Sequence, residues 1–470
     1  MKIEVGADIK VINPSQEFLR WLPTAMVIPN PEYNMRARLG LYKGNVPQRI
    51  FLYVKDGDDY YLPYGALRHI LSMQNTEGLE VVNKFEKPIQ VDFKCDIPLY
   101  DYQEDAVKGL IDGYYGVLQA PAGSGKTQMG LALAARLGRK TLWLTHTKDL
   151  VRQAYGRAAC YMPKDLLAIT MDGKVEIGKA ITFATVQTFG KMDLRPYINT
   201  FDTIIIDEVH HCVAGDKGLN WFARVVNALA ARHKYGLSAT LHRADGTIAA
   251  CFAMVGDLIY NVPERVTQGK ILKPGICPVP TEMVFDMTEI TKPDGQIIHG
   301  KFMQAITKND DRNKRIISLL KYEKGKSCLV LTDRLEQLKV LMNMLPEDLR
   351  DKACCINSST ASKVREKALN EMRRGKKRIM FATWSLAKEG LDIPILSRLI
   401  MATPHRDYAV VVQALGRISR TYEGKPDPVA YDLVDEKLLY AVNSFRARNC
   451  TVYRKMKLAI LDLPEGVRWE

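Results

Sequence analysis

The octapeptide Ala120-Pro121-Ala122-Gly123-Ser124-Gly125-Lys126-Thr127 follows the short apolar run Val117-Leu118 and precedes an amphipathic stretch over 128–137. Small residues in that setting let backbone N–H groups close around phosphates at a helix N-terminus. Lys126 is placed to reach the β and γ phosphates, and the Thr127 hydroxyl to ligate Mg²⁺. Far along the chain stands Gln413-Ala414-Leu415-Gly416-Arg417-Ile418-Ser419-Arg420, which presents arginines of the kind that neutralise phosphate charge. The two halves of the chain are therefore expected to meet across a bound nucleoside triphosphate.

From Gly116 onward, short apolar runs alternate with amphipathic stretches: 117–118, 141–144 and 203–206, then 327–331, 353–356, 378–381, 398–401 and 429–433. Strand then helix, repeated, implies parallel sheets covered on both faces. Two α/β domains are expected over 96–264 and 265–440, joined near 263–274 by the loop-like Gln268-Gly269-Lys270. Residues 1–95 carry turn signals at Asn30-Pro31, Asp56-Gly57-Asp58 and Glu77-Gly78. They read as a small mixed α/β accessory domain, expected to bind DNA although no charge stripe or motif in it stands out. Residues 441–470, with Arg446, Arg448, Arg454, Lys455 and Lys457, read as a basic helical segment packed on the second α/β domain or as a solvated helix face.

At 470 residues and 47% hydrophobic, the chain can bury ample core in roughly three domains. The formal charge of +14 favours a polyanionic partner, though basic balance alone also marks many proteins that bind none. Nine cysteines without a Cys-x-x-Cys argue for reduced thiols rather than a disulfide framework. Glu4 and Asp8 interrupt the start of the chain, and no stretch of about 18 uncharged apolar residues occurs, so a soluble, cytoplasmic protein away from membranes is expected.

Thr203-Ile204-Ile205-Ile206-Asp207-Glu208-Val209-His210-His211 ends a buried apolar run on two carboxylates. Asp207 can hold the Mg²⁺ hydration shell and Glu208 can polarise the attacking water. His210, His211 and Cys212 lack a second ligand cluster at zinc spacing; His210 is expected to couple the two domains instead.

Further short motifs stand between these, in fixed order: Leu99-Tyr100-Asp101-Tyr102-Gln103, Thr145-His146-Thr147-Lys148-Asp149-Leu150, Ile181-Thr182-Phe183-Ala184-Thr185-Val186-Gln187, Ser238-Ala239-Thr240 and Ala382-Thr383-Trp384-Ser385-Leu386-Ala387-Lys388-Glu389-Gly390-Leu391-Asp392-Ile393-Pro394. The set resembles the superfamily 2 helicases of DExH type. Asp207-Glu208-Val209-His210 and Leu237-Ser238-Ala239-Thr240-Leu241-His242-Arg243-Ala244-Asp245-Gly246 are similar to the XPB-like and phage branch-migration group. The resemblance implies two tandem RecA-like domains using ATP and Mg²⁺. Tyr100 and Gln103 would meet the adenine, with Tyr100 standing where the family carries arginine. Ala122, Gly123, Ser124, Gly125, Lys126 and Thr127 would hold the phosphates, with Gly390 and Asp392 also on the nucleotide. Asp207 and Thr127 would serve the metal. Lys126, Glu208, Gln413, Arg417 and Arg420 would be catalytic. Thr147, Lys148, Thr185 and Thr383 would hold phosphates of one tracked strand.

The implied activity is an ATP-dependent helicase or translocase that remodels branched or forked DNA, in a bacterial or phage-infected cell. An RNA track, or a nucleic-acid clamp with a vestigial ATPase, are the alternatives. Residues 365–378 hold a basic run that reads as a solvated helix end or, as the alternative, a phosphate contact. Residues 282–302 read as a hairpin, with Met283-Val284-Phe285-Asp286-Met287 as one strand, a turn at Lys292-Pro293-Asp294-Gly295, and Gln296-Ile297-Ile298-His299 returning; it is either a strand-parting element or a structural hairpin or loop.

Overall fold

The computed structural model describes residues 1–470 apart from 74–77, 93–94, 213, 216–217, 220, 242–245, 264–265, 267–270, 285, 287, 289, 293–296, 389–390, 468 and 470. The chain divides into two units, residues 1–121 with 125–266, and residues 122–124 with 267–470.

In the first unit, strands β1 (Lys2–Val5), β2 (Asp8–Ile12), β3 (Val54–Asp56), β4 (Asp59–Pro63) and β5 (Glu80–Asn83) form a mixed sheet in the order β3-β4-β2-β1-β5. Only β1 and β5 run parallel. Ile3, Val5, Ile9 and Val11 are buried while Lys2, Glu4 and Lys10 between them stay partly exposed, the period-2 pattern of a half-buried sheet. Helix α1 (Gln16–Ala25), capped by the Ser15 side chain, adds Phe18 and Leu22 to the same core, and α2 (Pro31–Arg38) follows.

Seven parallel strands make the larger sheet of this unit: β6 (Gly116–Gln119), β7 (Thr141–Thr145), β8 (Leu167–Thr170), β9 (Ile181–Thr185), β10 (Thr203–Asp207), β11 (His233–Ser238) and β12 (Leu258–Asn261), in the order β8-β9-β7-β10-β11-β6-β12. Every residue of β7, β9 and β10 is buried, which requires cover on both faces. On one side α3 (Asp101–Asp112), α4 (Lys126–Leu137) and α5 (Lys148–Ala158) pack around Trp143, Phe183 and Ile205. On the other, Val117, Leu142 and Ile204 share one core with Ile3, Phe18 and Leu62 of the mixed sheet. The approach is close enough that a Cβ on Gly65 would meet the Phe252 carbonyl oxygen at 2.3 Å. The fully buried Lys234 donates from Nζ to the Ala7 and Val226 carbonyls, both at 2.8 Å, so the amino-terminal sheet is part of this unit's core.

The second unit is a six-stranded parallel sheet of β13 (Gly275–Thr281), β14 (Cys328–Thr332), β15 (Ala353–Ile356), β16 (Ile379–Thr383), β17 (Arg398–Met401) and β18 (Val429–Asp435), in the order β13-β18-β17-β14-β16-β15. Separate apolar cores lie about Leu331, Met401 and Leu415 and about Val330, Phe381 and Ile400. Helices α6 (Tyr408–Ile418) and α7 (Leu439–Arg448) belong here. The fold is thus two RecA-like parallel-sheet domains with a small mixed amino-terminal sheet.

Two expectations are corrected. The carboxyl-terminal segment is helical only in its first part. Beyond the π-turn Asn449–Tyr453 the chain turns back beside the edge strand β13, where Ile460 bridges Ile276. Arg448 does not belong to a solvated face: it is 1% exposed and takes both oxygens of the equally buried Asp432, at 2.9 and 2.7 Å. A buried carboxylate needs such a partner, and removing either one would strand the other charge.

The expected hairpin over 282–302 is also different. Residues 282–284 and 286 are not in a strand, and His299 opens the helix His299–Lys308 instead of ending a strand; among the described residues a bridge joins Thr291 to Ile297. Phe285, Met287 and the turn residues 293–296 lie outside the described residues. Met283 and Ile290 are buried with Phe302, Ile306 and Leu438 in a small core, which accounts for the segment by packing. No helix among the described residues is long and apolar enough to cross a membrane.

Candidate functional site

The loop between β6 and α4 turns on two glycines with φ of +85°, Gly123 and Gly125. Gly125 is favoured chiefly by its backbone, since the atoms a Cβ would meet are the ends of two glutamine side chains. Its backbone is left-handed, and a Cβ would lie 2.4 Å from Gln103 Nε2 and 2.9 Å from Gln128 Oε1. Lys126 opens α4, and its Nζ donates to the Ala120 carbonyl at 3.4 Å; the half-buried Thr127 follows it. Ala122 is half-buried and Ser124 buried. Gln103 is buried at the start of α3, where its Oε1 accepts from the Tyr100 N–H at 2.9 Å. The Tyr100 ring, about half exposed, stacks on Tyr102 at 5.8 Å and 17°.

Asp207 ends β10, which β11 separates from β6 in the sheet, and is 6% exposed. Burial first, then the Glu208 carboxylate, push it above the usual carboxylate range, and Lys126 pulls it back. A buried carboxyl held up in this way is short of positive charge, so the residues present fit a divalent cation. Glu208 adopts φ +52°, a left-handed backbone that a non-glycine side chain takes only where the surroundings enforce it. Its Oε2 stands 3.4 Å from His210 Nδ1, which also pairs with Ser238 Oγ at 2.9 Å. Ser238 in turn donates to the Thr240 carbonyl at 2.6 Å. Ser238-Ala239-Thr240 and the Glu208 carboxylate are therefore joined through one imidazole.

A column of rings continues from there. His211 lies 4.4 Å from His210 and 3.9 Å from His146, centroid to centroid. His146 immediately precedes Thr147, the N-cap of α5, whose Oγ1 accepts from the Leu150 N–H at 3.3 Å and keeps its hydroxyl hydrogen to donate elsewhere. Thr147, Lys148 and Thr185 line one open cavity of about 720 Å³, together with His146, Gln187 and Lys191. Gln187 closes it by donating to the His146 carbonyl at 2.9 Å, Thr185 Oγ1 pairs with Thr188 Oγ1 at 2.8 Å, and Lys148 pairs with Asp172. Donors of this kind at helix N-termini suit phosphate oxygens. His211 and Lys191 were not singled out for these roles in the sequence; nothing local ties His211 to His146, which the fold brings together.

Burial pushes His146 down to about 4, with Glu208 opposing and His210 adding to the shift. The unfolded chain, titrating near the ordinary 6.5, therefore takes up this proton first. The stability that the neutral ring supports is complete above pH 6.5 and is lost as pH falls toward 4. Relative to a His146→Leu variant, the wild type should lose up to about 3 kcal/mol of unfolding free energy between those limits. Denaturant titrations at a series of pH values measure this, and parallel curves would refute it.

In the second unit, Thr383 ends β16, buried, with its Oγ1 2.9 Å from Ser385 Oγ. Gln413 is buried on α6. Arg417 on the same helix donates to the Ala387 carbonyl at 2.9 Å and to the Leu391 carbonyl at 3.4 Å, and Arg420 pairs with Asp392. The loop after α6 is pinned by Lys425, which sequence did not single out. Its Nζ donates to the Pro394, Ile418 and Arg420 carbonyls at 3.1, 2.8 and 2.6 Å. Both arginines are thus held by the motif that contains Asp392. Gly390 lies outside the described residues.

Residues 96–243 match the family model of the type III restriction enzyme res subunit, and residues 311–422 match the helicase conserved C-terminal domain. A protein of Acanthamoeba polyphaga mimivirus, described as a candidate ATP-dependent RNA helicase, is 25% identical over 396 residues, covering 82% of this chain and 72% of its own. A probable helicase of Escherichia phage T5 is 26% identical, covering 72% and 70%. The DNA 3'-5' translocase XPB2 of Sulfurisphaera tokodaii is 25% identical, covering 70% and 80%. Among solved structures, yeast Dbp5 bound to RNA and ADP BeF3 shares the fold with a TM-score of 0.57 at 16% identity, covering 86% of this chain and 94% of Dbp5. With both helicase models matched in order and with phage and XPB relatives over most of its length, the chain belongs to the ATP-dependent helicases of superfamily 2, in the group of XPB-like and phage helicases.

Proposed function

We propose that this helicase tracks one strand of DNA and remodels branched or forked substrates. The observation that carries the reading is the run of contacts in the first unit from the Thr147 and Thr185 cavity through His146, His211 and His210 to Glu208. A phosphate held at Thr147 acts on the histidine beside it, and through the column on the carboxylate that polarises water. Hydrolysis then answers to strand occupancy. Lys126 and the N–H groups of its loop would hold the triphosphate, and Asp207 and Thr127 would hold Mg²⁺, which when bound supplies charge neutralisation at the phosphates. Thr383 grips the same strand, Arg417 and Arg420 act on transition-state charge, and Gln413 contacts the terminal phosphate or the water. The DNA 3'-5' translocase among its relatives supports DNA as the track.

The test is steady-state ATP hydrolysis with duplex, forked, single-stranded and RNA cofactors of matched length. Forked or branched DNA should stimulate turnover most. The mimivirus relative makes RNA the reading to exclude: greatest stimulation by RNA would replace the DNA assignment, and no stimulation by any nucleic acid would leave a clamp without a working motor.

A further inference from the structure

Residues 35–49 belong to none of the sites above, yet they carry an unusual combination. Between Tyr33 and Lys55 the sequence holds Arg36, Arg38, Lys43, Arg49 and Lys55 and no acidic residue. Residues 37–45 are exposed at every position, and the apolar side chains among them face water: Leu39 is 53% exposed, Leu41 52% and Tyr42 89%. Single exposed apolar residues are ordinary. Three within four positions, set among cations, form a surface with a purpose.

The segment is built, not merely solvated. Asn30 caps α2 by accepting from the Glu32 N–H at 3.0 Å. Arg36 then acts as a strut: its Nε pairs with Glu32 Oε1 at 2.6 Å while its Nη1 donates to the Tyr42 carbonyl at 3.1 Å. The Leu41 N–H donates to the Arg36 carbonyl at 2.9 Å and the Val46 N–H to the Lys43 carbonyl at 3.1 Å, with left-handed turns at Gly40 and Gly44. Lys43 Nζ sits 5.0 Å from the centre of the Tyr33 ring. The backbone of Tyr42 is thus held from behind while its ring stands in solvent.

Cations around a presented aromatic face call for a polyanion with flat rings of its own. Inside a duplex every base is already stacked on both faces, so Tyr42 can pair only with an unpaired base or with the last pair of a duplex. We propose that residues 35–49 are a second nucleic-acid site that engages the unpaired bases of a fork or branch point, with Tyr42 stacking on a base and Arg38, Lys43 and Arg49 on the phosphates. This rests on the nucleic-acid motor reading above and gives the amino-terminal residues a task within it, recognition of the junction.

The experiment uses the full chain with forked DNA carrying 2-aminopurine at the branch, and blunt duplex of the same sequence. Tyr42→Ala should weaken fork binding about tenfold and abolish the change in 2-aminopurine fluorescence, while Tyr42→Phe retains both. Blunt-duplex affinity should be unchanged in either variant. The combined Arg38→Ala, Lys43→Ala and Arg49→Ala variant should lower the slope of log affinity against log salt by about 2. Fork binding by Tyr42→Ala equal to wild type, or equal losses on fork and blunt duplex, would overturn the proposal. Hydrolysis stimulated by blunt duplex or single strands in the wild type reports on the motor reading separately, because Tyr42 has no part in it.

Discussion

Replacing Lys126 with alanine should lower ATP turnover by about 10²-fold or more while leaving the fold intact. The size of the effect follows from the role proposed for the ammonium, a positioned charge in a phosphate loop, since removing one such electrostatic contact costs a rate factor of this order. Preservation of the fold follows from its place. Lys126 opens α4 and is half-buried, and alanine is a better helix former at that point. The same cation offsets the Asp207 carboxyl, which burial and Glu208 already push upward. Without Lys126, Asp207 holds its proton more readily and serves Mg²⁺ less well, so loss of metal-nucleotide binding should accompany loss of turnover. Steady-state hydrolysis alongside thermal unfolding followed by circular dichroism measures both. Near-normal turnover in a folded variant would remove the phosphate-loop assignment.

The motifs were legible because their chemistry is local. A glycine-rich turn between an apolar run and a helix, or two carboxylates at the end of Thr203-Ile204-Ile205-Ile206, suggests a phosphate or metal site without any distant partner. The central strands were legible because parallel strands covered on both faces read as unbroken apolar runs. Strand β13 was passed over because Pro278 and Pro280 interrupt it; proline cannot donate to a ladder and is tolerated where β13 lies, at the edge of its sheet. Arg448 stood in a segment read as packed or solvated and Lys425 was not singled out; only the fold supplies Asp432 to the first and three carbonyl oxygens to the second. His146 and His211 belong to separate loops whose meeting depends on the order of β7 and β10 in the sheet. No charge stripe stood out in residues 1–95, and it is the exposure of Tyr42 in the structure that gives the cations around it a use.

Glu208→Gln should bind ATP and DNA but hydrolyse about 10²- to 10⁴-fold more slowly, the range expected when a positioned general base is lost. The amide keeps the volume of the side chain, so the left-handed backbone at φ +52° and the neighbouring strand end have no reason to move. What it removes is the ability to accept the water's proton. It also removes a negative charge beside Asp207, and that charge is the second cause of the rise in the Asp207 carboxyl after burial. With glutamine at 208, Asp207 ionises more readily, so affinity for the metal-bound nucleotide should be kept or increased while turnover falls. That opposition between binding and rate separates loss of the base from general damage to the site, which would weaken both. Fluorescent-nucleotide binding and single-turnover hydrolysis on the same preparation resolve the two. A variant that hydrolyses at the wild-type rate would move the base to another residue, and the histidine column ending at Glu208 would then lose its role in coupling strand occupancy to chemistry.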